Sequence, residues 1–154
     1  MNKVNPHKSK YFDLYMDLAI RASEQSVATR RQVGAVIVTS AGVIAIGWNG
    51  TAPGFDNVCE YLIDVADTRE LLPLGMTKPE VIHAERNALD KLSRQGISPE
   101  GSILFVTTAP CIECAKSIAA VGIDKVVYLD TYKTADGIDF LKKSGVDVQK
   151  SIKE

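Results

Sequence analysis

The chain of 154 residues predicts an α/β fold, a three-layer α-β-α sandwich around a mixed five-stranded sheet. Three observations predict it. Short apolar runs rich in β-branched residues alternate with stretches of helical period, in the order α-β-β-α-β-α-β-α-β. The first two apolar runs are joined by a short turn, as in an antiparallel hairpin. The later β-α-β units demand right-handed crossovers, and hence parallel pairing. At 45% hydrophobic and 24% charged, the chain can bury a real core. Its length suits one domain spanning 1–154, with residues 1–10 read as a flexible tail.

Each element has its own signal. From Tyr11 to about Val27, Phe12, Leu14, Tyr15, Leu18, Ala19 and Ala22 recur at the spacing of an amphipathic helix. Val33 to Thr39 is a β-branched run, Ser40-Ala-Gly42 a turn, and Val43 to Trp48 a second strand. Asn49 to Asn57 (NGTAPGFDN) has the composition of a loop. In 58–80, Leu62 to Leu72 suits a helix that Pro73, Gly75 and Pro79 then break. Ala84 to Arg94 is a helix stopped by Gly96, Ser102 to Thr108 a strand, and Cys111 to Val121 a helix stopped by Gly122. Lys125 to Leu129 is a strand, Asp136 to Lys143 a short helix, and Val146 to Val148 a short last strand.

Bulk chemistry removes several classes. A net charge of -1 is no footprint for DNA or RNA. No run approaches the roughly 18 apolar residues of a membrane span, and the N-terminus lacks a signal-peptide core, so the expected location is the cytoplasm. Three cysteines, Cys59, Cys111 and Cys114, make no disulfide framework, but two of them form C-x-x-C.

Two short stretches carry chemistry: His83-Ala84-Glu85 and Pro110-Cys111-Ile112-Glu113-Cys114. Both fall at expected helix N-termini. Thiols three residues apart share one helix face, and the positive end of the helix lowers their pKa. Thiolate is the form that binds zinc. Pro110 fixes the entry of the chain into its helix. His83, Cys111 and Cys114 give three ligands, and a three-ligand zinc keeps a place for water. Glu85 stands two residues from His83, placed to move protons without ligating. Alone, the C-x-x-C would equally suit a redox pair or half of a structural zinc site, and Cys59 as a fourth ligand would close the site. Together and in this order, H-x-E and P-C-x-x-C form the zinc deaminase signature, in which water replaces the amino group of a nucleobase and the glutamate carries the protons.

Longer stretches add to the motif: Arg30-Arg-Gln-Val-Gly-Ala-Val-Ile-Val38, Gly47-Trp-Asn-Gly50 with Pro53 and Gly54, Ile82-His-Ala-Glu-Arg-Asn-Ala88, Thr108-Ala-Pro-Cys-Ile-Glu-Cys114, and Asp130-Thr-Tyr132. On these the chain resembles the deoxycytidylate (dCMP) deaminases of the cytidine deaminase-like superfamily, from about Tyr11 to Val148. The resemblance implies one zinc per chain and hydrolysis of dCMP to dUMP and ammonia, supplying thymidylate synthesis. It implies that Asn49 bonds the sugar or base, that Ala109 offers backbone to the base, and that Arg30 and Tyr132 lie near the nucleotide, with Arg30 suited to the 5′-phosphate. It also implies a homohexamer, activation by dCTP with Mg²⁺, inhibition by dTTP, and an effector loop containing Gly50, Pro53 and Gly54. Two departures stand out. Ser26-Val-Ala-Thr-Arg30 lacks a cysteine common in relatives, and Cys59 to Val81 holds no histidine and one cysteine, which leaves no second, structural zinc site.

Without the resemblance, Arg30 and Arg31 read as a solvated charge pair, Tyr132 as a half-buried packing residue, and Trp48 as core or pocket wall. The rival functions are deamination of dCTP, 5-substituted dCMP, cytidine or free cytosine, a tRNA adenosine deaminase, and a structural zinc module with no catalysis.

Overall fold

The runs around Val36 and Phe105 are too apolar to give a face to water, and in the computed structural model both become strands buried at every position. The structure describes residues 4–61 and 76–153. Within them the chain runs α1 (Phe12–Ser23), β1 (Gly34–Val38), β2 (Ile44–Trp48), β3 (Gly50–Thr51), β4 (Val81–Ile82), α2 (Ala84–Arg94), β5 (Ile103–Thr108), α3 (Ile112–Ala120), β6 (Lys125–Asp130), α4 (Asp136–Lys143) and β7 (Asp147–Lys150).

The main sheet has the order β2-β1-β5-β6-β7. β1 is antiparallel to both β2 and β5, while β5, β6 and β7 are parallel and joined through α3 and α4. Alternate side chains serve opposite faces. Val36, Val38, Ile103, Phe105 and Val127 meet Tyr15, Met16 and Ala19 of α1. Ala35, Ile37, Leu104, Val106 and Val126 meet Ala88 and Leu92 of α2, Ala115 and Ile118 of α3, and Leu141 of α4. These are the expected three layers: one helix on one side, three on the other. No helix among the described residues is long and apolar enough to cross a membrane.

Two glycines let helices touch the sheet backbone to backbone. A Cβ on Gly34 would strike the carbonyl of Ala19 in α1. One on Gly47 would meet the carbonyl of Ala84 and stand 2.6 Å from the amide nitrogen of Ala88, both in α2. The second contact seats the start of α2 on strand β2.

Four expectations differ in detail. α1 stops at Ser23, not Val27, because the chain turns there, and the Ser26 hydroxyl donates to the Asn49 carbonyl at 2.7 Å, which draws the chain toward the end of β2. The last strand begins at Asp147 because the Val146 amide closes the end of α4 on the Leu141 carbonyl. The loop after Trp48 contains a ribbon not foreseen, with Gly50 paired to Ile82 and Thr51 to Val81. The tail is held from Pro6 onward: Nε2 of His7 lies 2.9 Å from the Val38 carbonyl and 3.1 Å from that of Thr39, so it donates to both, and the Tyr15 hydroxyl donates to the Pro6 carbonyl. The helix expected over Leu62 to Leu72 lies outside the described residues.

Gly34→Ala is therefore expected to destabilise the protein by about 3 kcal/mol, at the upper end of ordinary overpacking. Urea unfolding of the two proteins measures this, and equal midpoints would refute the close approach of α1.

Candidate active site

His83 is the N-cap of α2 and Cys111 the N-cap of α3, each on extended backbone (φ -67°, ψ 155° and φ -70°, ψ 169°). Neither side chain caps its own helix. Ser, Thr, Asp or Asn would normally take such a position, and forgoing that bond costs about 1 kcal/mol per helix. The imidazole and the sulfur are thereby left for another partner. A third helix fixes the turn before α3. A Cβ on Gly137 of α4 would strike the Pro110 carbonyl and stand 3.0 Å from the Cys111 carbonyl group.

The three donors converge. Nδ1 of His83 lies 3.6 Å from Sγ of Cys111 and 3.3 Å from Sγ of Cys114. All three ligand atoms fall within 4.8 Å of one another. Tetrahedral zinc with bonds of about 2.3 Å to sulfur and 2.0 Å to nitrogen puts such atoms about 3.5 Å apart, so the spacing fits the ion. Cys59 is buried and lines the same cavity, but among the described residues no fourth His, Cys, Asp or Glu joins the cluster.

The charges are arranged to match. The Cys114 thiol beside Cys111 holds the Cys111 thiol well below its ordinary range, with burial opposing and His83 assisting. The same hydrogen bond, then burial, then the nearby Glu85 push Cys114 up. His83 is raised by Cys111, against burial and with help from Glu85. A divalent ion would ionise both thiols. Glu85 is 4% exposed, and burial pushes its carboxyl up to about 7, against its own backbone N–H and His83. A carboxyl near neutrality both takes and gives a proton.

A cavity of about 340 Å³ opens onto this cluster. Its wall includes His83, Glu85 and Cys111, and also Arg30, Asn49, Ala109 and Tyr132, so the candidate nucleotide contacts share one space with the candidate metal site. Gly50 is in β3, and Pro53 and Gly54 are exposed; none of the three lines the cavity. Trp48 is half-buried under the Lys91 ammonium, 5.0 Å from its ring, and is not on the cavity wall.

Sequence reasoning gave no site role to three charged residues of that wall. Arg31 and Lys133 add positive charge to it. Glu60, 6% exposed, accepts the amide N–H groups of Thr29 and Arg30, each at 3.0 Å, and the Thr29 hydroxyl at 3.0 Å. Burial raises the Glu60 carboxyl, but these donors outweigh it and leave it below the usual range. Nothing local marked it, since it stands alone in the least patterned stretch of the chain. Asn49 was foreseen as a ligand contact, yet its amide already works inside the protein. Oδ1 accepts from the Val33 amide at 2.9 Å, and Nδ2 donates to the Arg31 carbonyl at 2.8 Å. One N–H and one lone pair remain.

An α/β sheet that places H-x-E and C-x-x-C on neighbouring helix N-termini, over a cavity with a buried glutamate, defines a deaminase of the zinc-binding class. Residues 10–130 match the family described as the cytidine and deoxycytidylate deaminase zinc-binding region, and the chain belongs to that family. It is 32% identical to the deoxycytidylate deaminase of Enterobacteria phage T4, over 86% of each chain. It is 43% identical to the dCMP deaminase of cyanophage S-TIM5, whose crystal structure with dCMP and dUMP superimposes with a TM-score of 0.82 over 94% of this chain and 98% of that one. A tRNA:A34 deaminase, 21% identical with a TM-score of 0.58 over 90% of this chain and 98% of that one, shares the fold alone. The chain spans about half the length of the longer yeast deoxycytidylate deaminases that it matches.

Because the folded Glu60 carboxyl is more acidic than its unfolded form, its contribution to stability is present above the unfolded pKa and is lost as pH falls toward the folded value. Glu60→Gln is therefore expected to destabilise the protein by about 1–3 kcal/mol at pH 7 and by less at pH 3. Denaturant unfolding at both pH values reads the difference, and a gap that does not close in acid would contradict it.

Proposed function

We propose that the protein hydrolyses dCMP to dUMP and ammonia, using one zinc ion held by His83, Cys111 and Cys114, with Glu85 as the proton carrier. The observation that carries this reading is the buried Glu85 beside three converging metal donors, inside a cavity whose wall also holds Arg30, Arg31 and Lys133. A zinc ion at the three donors supplies Lewis acidity that makes a water nucleophilic near neutral pH.

The residues of the chain do the rest. Glu85 accepts the proton that the water gives up as it adds to C4 of the cytosine ring. It passes that proton to N3, then carries the proton of the new C4 hydroxyl to the amine, so that the C4–N bond breaks, ammonia leaves and a C4 carbonyl remains. Its burial keeps bulk water from short-circuiting the transfer. Ala109, on the chain just before the metal turn, offers backbone to the base, and Tyr132 and Asn49 confine the nucleoside. Arg30 pairs with the 5′-phosphate, with a fork geometry suited to it. The homohexamer, cytoplasmic location, supply of dUMP to thymidylate synthesis, and control by dCTP with Mg²⁺ or by dTTP through Gly50, Pro53 and Gly54 complete the reading.

Ammonia release from cytosine, deoxycytidine, dCMP and dCTP tests it: dCMP is expected to be turned over fastest by at least about tenfold in kcat/KM, the scale of one lost charged contact. Equal rates on dCMP and deoxycytidine would remove the phosphate assignment. Glu85→Gln is expected to keep its zinc and lose roughly a thousandfold in kcat. Cys111→Ser is expected to lower bound zinc measured by elemental analysis. A Glu85→Gln enzyme with near-normal turnover would end the role given to that carboxylate.

A further inference from the structure

The loop that joins α1 to β1 carries Arg30 and Arg31 to the cavity, and its backbone is tied down along its length. The Ser26 hydroxyl donates to the Asn49 carbonyl at 2.7 Å and accepts from the Ala28 amide at 3.2 Å. Nε2 of Gln32 donates to the Ser26 carbonyl at 2.7 Å. Asn49 takes the Arg31 carbonyl and the Val33 amide. Between these ties stand two consecutive N–H groups, those of Thr29 and Arg30, and both are held by one carboxylate from a distant part of the chain, Glu60. Successive amides that face one anion form a nest, a motif that fixes backbone direction.

We propose that Glu60 is a positioning residue for substrate selection: its buried carboxylate fastens the Thr29–Arg30 peptide so that the Arg30 guanidinium is presented in advance to the phosphate of the nucleotide. The inference rests on the reading of Arg30 as the phosphate contact. Two features make a carboxylate the right fastener. It offers two oxygens to three donors, with Oε1 taking both amides and Oε2 the Thr29 hydroxyl. Its negative charge, on the wall of a cavity meant for an anion, is absorbed by those donors rather than turned on the phosphate. Glu60 is itself anchored, since it forms a bridge with Thr77, and the neighbouring Cys59 carbonyl accepts the Lys78 amide at 2.7 Å. A loop fixed before binding loses less freedom when the ligand arrives, so the gain appears as affinity for the phosphate.

The test compares the zinc-loaded protein with Glu60→Ala, Glu60→Gln, Arg30→Ala and the double variant Arg30→Ala/Glu60→Ala, each on dCMP and on deoxycytidine, which has no phosphate. The readout is the ratio of kcat/KM for the two substrates. Glu60→Ala is expected to lower that ratio about tenfold or more, mainly through the KM for dCMP. Glu60→Gln falls between it and the parent, because an amide oxygen still accepts one N–H. The double variant is expected to show a ratio no lower than Arg30→Ala alone, since the two residues act on one contact. A Glu60→Ala enzyme that loses both substrates equally, or a double variant whose losses multiply, overturns the proposal and leaves the Arg30 reading intact. An unchanged ratio in Arg30→Ala overturns the phosphate reading itself. If Glu60→Ala does not fold, Glu60→Gln decides: an unchanged or increased ratio in that variant overturns the proposal.

Discussion

The close approach of α2 to β2 at Gly47 governs the geometry of the site. With no side chain there, the backbone of α2 rests directly on the strand, and the helix cannot slide without losing that contact. The Asn87 side chain adds a second tie by donating to the Trp48 carbonyl at 2.9 Å. His83 and Glu85 are the cap and the second residue of this helix, so their places follow from where it is seated. Cys111 and Cys114 come from the neighbouring helix, whose start is set by the end of β5 and by the near contact of Gly137 with the turn at Pro110. Close packing of this kind transmits displacement rather than absorbing it. A methyl group at Gly47 would therefore displace His83 and Glu85, and one at Gly137 would displace Cys111.

Electrostatics divides the cavity into two regimes. Burial raises the proton affinity of Glu85, while the hydrogen bond between the Cys111 and Cys114 thiols drives the first down and the second up. Arg30, Arg31 and Lys133 lie on the same wall with exposed side chains that water can reach. The first regime suits bond-making, and the second suits recognition of a charged group. Glu60 belongs to neither, since a carboxylate saturated by two amides and a hydroxyl acts as a structural strut.

Much of this was legible in the sequence because the signals are local. Burial on both faces makes β1 and β5 nearly continuous apolar runs, helical periodicity marks α1, and Gly96 and Gly122 mark the ends of α2 and α3. The convergence of His83, Cys111 and Cys114 was legible because helix starts impose their spacing. What escaped depends on contacts between distant residues. Glu60 meets Thr29 and Arg30 only after folding, and His7 holds its place only because the end of β1 offers it two carbonyls. Asn49 was marked by its motif, but its two bonds to residues 31 and 33 could not be read from one strand end. The β3–β4 ribbon is too short to carry a pattern of its own.

That ribbon bears on how such a protein can diversify. Gly50 and Thr51 pair with Ile82 and Val81, the Ala52 amide donates to the Glu80 carbonyl, and the Tyr61 amide to that of Met76, so the excursion between the second strand and the second helix is cinched at its neck. Chain added or removed beyond that neck need not disturb His83, which follows one residue after the pairing. The pairing thus shields His83 and Glu85 from strain arising beyond the neck, while Cys59 and Glu60, on its near side, stay tied to the cavity wall.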